Sequence, residues 1–259
     1  MTDLFVYFQE ILVGTLRKNP DATLGFQYAN KWRHHAKAFA LSPYLDLNET
    51  GVFDNRKTRA FFENLLPEGK VRERLEKLRG KSLSSGFQFL QEYGSDCAGA
   101  LVISPKRSSP ANGIQNEFTQ LNLTELGVAH QNNHKLMTHV IENHGGRFLL
   151  AGAQDKIPIV YYQGQVYVPT AGAATTHILK PPHLGTAAKD SVYNEYFCMR
   201  LAKACRLDVP EVFIAQAEIP FYITERYDRL IFSPTTCRIH QIDFCQAQNY
   251  LVEEKYEED

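Results

Sequence analysis

Apolar and polar positions divide the chain into short runs of two periods. Residues 4–16 carry aromatic and β-branched side chains on both sides of the polar pair Gln9-Glu10, which predicts a short hairpin. Phe26–Tyr28 and Phe39–Ser42 read as further strands. Phe53–Leu66 sets Phe61, Phe62, Leu65 and Leu66 on one side of a helix, and Val71, Leu75 and Leu78 mark a second. Gly80-Lys81-Ser82 breaks that helix before a third over Ser85–Tyr93, and Ala98–Ser104 reads as a strand. These elements predict a small mixed α+β unit over residues 1–104.

Residues 104–117 are rich in Pro, Ser, Gly and Asn and read as a linker, and the polar, His-rich stretch 124–144 reads as partly helical, giving a connection over 105–146. From Arg147 the pattern turns strand-like, at 148–150, 157–162, 165–169 and 177–180. Asn194–Ala204 predicts a helix with Tyr196, Phe197, Leu201 and Ala204 near one face, followed by strands over 212–217, 221–227 and 237–241. The acidic tail 253–259 reads as solvated or disordered. The second unit therefore spans 147–259.

Composition narrows the classes. A net charge of -1 excludes a global basic field for nucleic acid, and the basic stretches Lys31–Lys37 and Arg56–Arg59 read as solvated faces. Five cysteines, with no C-x-x-C pair, favour reduced thiols in a cytoplasm over a disulfide framework. No signal peptide and no apolar run long enough for a membrane span is seen. His130, His134, His139 and His144 have spacings that can place metal ligands on one helix face, but the series carries no Cys or carboxylate partner. It reads as a polar helix or loop, with no metal site expected.

Chemistry concentrates in the second half. Ala151-Gly152-Ala153 lies between strand-like runs, where small residues let a backbone approach a triphosphate and offer N–H donors; an ordinary hairpin turn would look the same. Lys156 follows it and could reach phosphate or solvent. Lys180 ends an apolar strand before Pro181-Pro182, and Glu195 opens the next helix. A strand lysine held by a helix glutamate is how kinases present a cation to phosphate oxygens, although Asp190 also lies nearby. Arg226 and Asp228 read as ion-pair partners, and His240 as a packed or surface residue.

In this order and spacing the motifs resemble the HipA family of bacterial serine/threonine kinase toxins, over nearly the whole chain. Leu41-Ser42-Pro43-Tyr44-Leu45, Phe61–Gly69 and Gly99-Ala100-Leu101 resemble that family's amino-terminal subdomain. Ala151, Gly152, Ala153, Gln154 and Lys156 resemble its glycine-rich loop, and Thr175–Pro181 its nucleotide-lysine strand. The resemblance implies an α+β fold: a small mixed subdomain plus a kinase-like nucleotide lobe with an antiparallel sheet and one main helix, the carboxy-terminal helical lobe being absent. It puts adenine contacts at Glu225 and Tyr227, and ribose or phosphate contacts at Gln241 and Asp243. It implies ATP and Mg²⁺ as cofactors, a HipB-like helix-turn-helix antitoxin as partner, an aminoacyl-tRNA synthetase as protein substrate, and DNA only through the antitoxin.

Two departures matter. Leu149 stands where the family carries a phosphorylatable serine, so no switch of that kind is expected. No His-x-x-x-Asn or Asp-rich motif follows Gln246, so the chain reads as truncated before the catalytic loop, with the Mg²⁺ ligands mostly in the missing lobe, inactive alone, and presenting apolar surface. The competing expectation is a non-catalytic module that docks an antitoxin or a separate kinase subunit.

Overall fold

The computed structural model describes residues 3–78, 85–107, 118–145, 150, 154–169, 173–184, 190–232 and 235–255. The predicted hairpin forms as β1 (Asp3–Phe8) and β2 (Ile11–Lys18), turning at Gln9 with a φ of 54°. With β3 (Leu24–Tyr28) and β4 (Leu101–Ser104) it makes an antiparallel sheet of order β3-β2-β1-β4. Gly14 of β2 is required by packing, since a Cβ there would stand 2.4 Å from the Gln27 carbonyl and 2.6 Å from the Phe26 ring. The short α1 (Asn30–Arg33) carries the buried Trp32. The helices α2 (Asn55–Phe62), α3 (Gly69–Leu78) and α4 (Gly86–Tyr93) follow as expected, and Asp54 caps α2 by accepting the Lys57 N–H.

Phe39–Ser42 is not a strand. Its backbone is satisfied by side chains: the Leu41 N–H donates to the Tyr28 hydroxyl at 2.8 Å, and His240 Nε2 lies 3.0 Å from the Leu41 carbonyl. Leu41 is buried, so the apolar run was a core signal carried by a loop.

The second half builds a six-stranded antiparallel sheet from β5 (Phe118–Gln120), β6 (Ile157–Tyr162), β7 (Gln165–Pro169), β8 (His177–Lys180), β9 (Val212–Gln216) and β10 (Pro220–Glu225), in the order β5-β7-β6-β8-β10-β9. The His-rich stretch forms α5 (Leu123–Gln131) and α6 (Leu136–His144). One long helix, α7 (Ser191–Ala204), lies between β8 and β9 in the chain. A hairpin of β11 (Arg229–Phe232) and β12 (Thr235–Arg238) follows, then α8 (Phe244–Gln248). The strand expected over 148–150 falls largely outside the described residues; Leu150 is buried but in no strand. The strand expected at 237–241 starts earlier and stops at Arg238, and its partner β11 was not foreseen.

Two expectations of burial change. In α7 only Val192 is fully buried, joined by Tyr196 and Met199 one and two turns on, which pack with Val212, Ile214 and Tyr222. Phe197 and Leu201 lie on another face and are 64% and 51% exposed. The tail is tied down as far as Lys255: Arg56 pairs with Glu254 at 2.8 Å, Arg59 with Glu253, and Lys255 with Glu68 at 2.7 Å. The apolar core runs without a break from Leu4 and Phe26 through Leu121 and Leu136 to Leu179 and Ile223.

Candidate functional site

Strand alternation assigns the faces of β8. His177 and Leu179 are buried, while Ile178 and Lys180 turn to the other side. In the antiparallel register Lys180 lies opposite Tyr222 and Ile178 opposite Thr224, so these four share one face. That face forms one wall of a cleft of about 340 Å³. Lys156 and Leu150 border it from the preceding segment, Glu225 and Tyr227 from the end of β10, and Gln241, Ile242 and Asp243 from the run into α8. Asn64 and Leu65 close it from the amino-terminal half.

Cationic groups mark one part of the cleft. Lys180 Nζ meets Glu195 Oε2 at 2.7 Å and lies 5.5 Å from the centre of the Tyr222 ring. Gln154 Nε2 donates to the other carboxylate oxygen, Glu195 Oε1, at 3.2 Å. Glu195 is thus held at both oxygens and fixes the ammonium, the role the sequence left open between Glu195 and Asp190. Lys156 has no ion-pair partner among the described residues. Burial, and then the neighbouring charge of Lys180, depress its pKa. A pair of cations with one uncompensated member is an electrostatic void that an anion fills.

The segment after β10 is held from behind. The Glu225 N–H donates to the Glu211 carbonyl at 2.9 Å and the Arg226 N–H to the Thr176 carbonyl at 2.9 Å. The Glu225 carbonyl receives only the Thr224 hydroxyl, at 3.3 Å, and the Tyr227 N–H meets no acceptor among the described residues. A carbonyl holding only one long hydrogen bond and, two residues on, an N–H with no acceptor among the described residues suit the edge of a purine. Arg226 and Asp228 are structural, as expected: Arg226 Nη2 meets Asp228 Oδ2 at 2.7 Å, Arg229 meets Asp228 at 2.8 Å and Asp96 at 2.9 Å, and Arg238 meets Asp96 at 2.7 Å. Burial alone would raise the Asp96 carboxyl, but Arg238, Arg226 and Arg229 outweigh it and hold it below the usual range.

Amide oxygens supply the rest of the polarity. Gln241 Oε1 and Asn64 Oδ1 are buried without a hydrogen-bond partner, although both residues border the cleft. Leaving such acceptors unmade is costly, and the amine and hydroxyl hydrogens of a nucleoside are the donors they lack. Asp243 borders the cleft, but its Oδ1 caps α8 by accepting the Gln246 N–H at 2.7 Å. Among the described residues no three ligating side chains gather at the cleft, so these residues fit a nucleotide but do not by themselves make a Mg²⁺ site. His240, as expected, is a packed residue: it stacks on Phe39 at 4.4 Å, and burial lowers its pKa.

The structure thus brings Lys156, Lys180, Glu225, Tyr227, Gln241 and Asp243 around one cleft, with Gln154 and Glu195 behind Lys180. Ala151, Gly152 and Ala153 lie outside the described residues. Sequence reasoning missed Leu150, Ile178, Thr224, Asn64 and Leu65 as lining residues. Ile178 and Thr224 could have been found by stepping two residues from Lys180 and from Tyr222, whereas nothing in the local pattern of Asn64 separates it from a helix-end polar residue.

Among the described residues no helix is long and apolar enough to cross a membrane. The chain is 35% identical over 257 residues to the protein Y4mE of Sinorhizobium fredii, covering 98% of this chain and 60% of that protein. It is 30% identical over 264 residues to the serine/threonine-protein kinase toxin HipA of Shewanella oneidensis, covering 98% and 57%. The structure superposes on a solved complex of Shewanella oneidensis HipA, HipB and operator DNA with a TM-score of 0.77 at 27% identity, covering 98% of this chain and 58% of that one. The chain thus spans under two thirds of the length of these relatives. The HipA N-terminal domain matches residues 4–104 and the HipA-like C-terminal domain residues 148–259, and with the mixed fold this places the chain in the HipA family.

Proposed function

We propose that this chain binds ATP as the nucleotide lobe of a HipA-like protein serine/threonine kinase that works in a toxin–antitoxin pair. The observation that carries the reading is the Lys180–Glu195 pair at 2.7 Å beside a second, unpaired ammonium on Lys156. Lys180, oriented by Glu195, presents its ammonium to phosphate oxygens. Lys156 neutralises further phosphate charge. The Glu225 carbonyl and the Tyr227 N–H meet the base, and Gln241 and Asp243 face the ribose side. Mg²⁺ would neutralise charge developing on the transferred group. The solved HipA–HipB–operator complex supports a HipB-like partner; we further propose that this partner is a helix-turn-helix antitoxin through which DNA is contacted, and that the phosphate acceptor is an aminoacyl-tRNA synthetase.

As a separate polypeptide, residues 1–259 are expected to bind nucleotide without transferring phosphate. Transfer needs a positioned base and a metal site, and the cleft's aspartates are committed elsewhere, Asp228 to arginines and Asp243 to the cap of α8. Calorimetry with Mg-ATP tests the reading. Losing a charge-assisted contact costs about 1.5–3 kcal/mol, so Lys180→Ala should weaken binding by roughly tenfold to a hundredfold. Equal affinity in wild type and Lys180→Ala, or robust phosphorylation by the isolated chain, would count against it. The exposed Tyr193, Phe197 and Leu201 face of α7 favours the alternative of a docking module. That module would co-purify with a small DNA-binding protein and gain no stability from nucleotide.

A further inference from the structure

Three of the nine histidines, His130, His139 and His144, lie on α5 and α6, and the fold separates them into two environments. His130 turns inward, with Nε2 2.8 Å from the Pro182 carbonyl and Nδ1 facing Asp155 at 3.7 Å. His139 lies in the middle of α6 and His144 at its end, their ring centres 6.4 Å apart. Glu125 reaches them from α5, with Oε1 3.5 Å from His139 Nε2. One ligating atom of each of the three side chains lies within 4.8 Å of the other two. The carboxylate that the histidine series lacked is therefore supplied by the neighbouring helix.

We infer that Glu125, His139 and His144 form a binding site for a divalent transition cation of the Zn²⁺ type. His139 Nε2 is shielded from solvent and makes no hydrogen bond among the described residues, with the Glu125 carboxylate 3.5 Å away; a coordinate bond would satisfy it. Asn143 holds the ring, with Nδ2 2.9 Å from the His139 carbonyl and 3.3 Å from Nδ1. Ligation through Nε2 requires the proton on Nδ1, so the weak 3.3 Å contact from the Asn143 amide to Nδ1 must give way when a metal binds. Gly145 ends α6 in the left-handed conformation immediately after His144, with a φ of 69°. Two imidazoles and one carboxylate suit Zn²⁺ better than Mg²⁺ or Ca²⁺, which take oxygen ligands. Bonds of about 2.0–2.2 Å would draw the three atoms closer than they stand now, a change that requires the exposed Glu125 and the half-buried His144 both to rotate. A fourth position stays open to water.

The site joins α5 to α6 away from the cleft and is independent of the nucleotide reading. It has a mechanical consequence, because both carboxylate oxygens of Asp155 accept the Leu136 N–H at the start of α6, at 3.1 and 3.0 Å, and Lys156 follows Asp155 into the cleft. A cation that fixes the helix pair stiffens the support of that lysine.

Zn²⁺ titrated into the full chain against a chromophoric chelator tests the site, with Co²⁺ substituted to read the donor set from its visible spectrum. We expect one ion per chain, a dissociation constant of about 1 µM or tighter, and a thermal midpoint that rises with the ion. His139→Ala and His144→Ala should each weaken binding at least about tenfold and abolish the rise. The exposed Glu125→Gln, which preserves shape, should weaken it with the fold intact by circular dichroism. Cys198→Ser and Cys205→Ser should change nothing. Binding unaltered in both histidine variants, a Co²⁺ spectrum with thiolate charge-transfer bands, or no binding below about 100 µM would overturn the assignment.

Discussion

Lys156 and Lys180 set the electrostatics of the cleft, and they differ in how their charge is compensated. Lys180 is compensated by Glu195, but Lys156 is partly buried beside another cation, and its pKa is depressed by burial first and by Lys180 next. Its folded pKa lies below the unfolded one, so the charged form is disfavoured in the native state, and the penalty grows as pH falls from the unfolded value towards the folded one. Lys156→Met should therefore act in opposite directions on two readouts: a higher midpoint in urea and a weaker affinity for Mg-ATP. A lysine that merely covered the surface would move neither, and one that stabilised the fold would lower the midpoint. Lys180, Glu195 and Gln154 were legible because strand end, helix start and small-residue loop each leave a local mark. Asp243 was legible as a position but not as a cap, since the same Asp-x-x-Gln spacing serves a helix start whether or not a ligand stands in front of it. Gln241 Oε1 and Asn64 Oδ1 became meaningful only once the fold had buried them without donors.

At the scale of elements, β8 carries two functions on its two faces. Lys180 and Ile178 face the cleft, while His177 is buried against Tyr161, at 5.4 Å between ring centres, and Phe213, at 6.1 Å. Burial drives the His177 pKa from 6.5 down to about 4. Between those values the unfolded chain takes up a proton that the native state refuses, so stability falls as pH drops from about 6.5 towards 4. At 1.36 kcal/mol per unit, His177 alone should cost roughly 2 kcal/mol between pH 7 and pH 5. His240, also depressed by burial, adds to the same window. Urea unfolding at the two pH values should show this loss, and His177→Gln should recover most of it; an unchanged slope in the variant would exclude His177 as the source. The strand itself was readable from Ile178-Leu179 and the prolines that end it. The strand at 39–42 and the buried stripe on α7 were misread for one reason: an apolar run records that something packs there, and only tertiary contacts decide whether a ladder, a loop or an open face results. β11 escaped notice because Arg229, which opens it, is a charged residue buried by partners far away in the sequence.

The largest structural commitment is the ionic cluster joining the two halves of the chain. Asp96 belongs to the amino-terminal half, and Arg226, Arg229 and Arg238 belong to the other; all four side chains are at most 9% exposed. Arg226 also donates to the Thr175 hydroxyl at 2.8 Å and to the Cys97 carbonyl at 3.1 Å, and the Gly99 N–H donates to Asp228 at 2.7 Å. Breaking one member of such a buried group costs about 3–5 kcal/mol, because the remaining charge is stranded without water. Charge composition gave no hint of this, since a sequence lists acids and bases without saying which are removed from solvent. The continuous apolar core and this cluster together lead us to expect that the two halves unfold as one cooperative body. The single tryptophan, Trp32, is fully buried in the amino-terminal half and reports that half by fluorescence. Arg226→Leu alters only the second half, yet it should lower the Trp32 unfolding midpoint by the same amount as the midpoint seen by circular dichroism over the whole chain. A Trp32 transition that stays in place while the far-ultraviolet signal splits into two steps would mean that the halves unfold separately, and that the cluster positions the cleft without holding the molecule together.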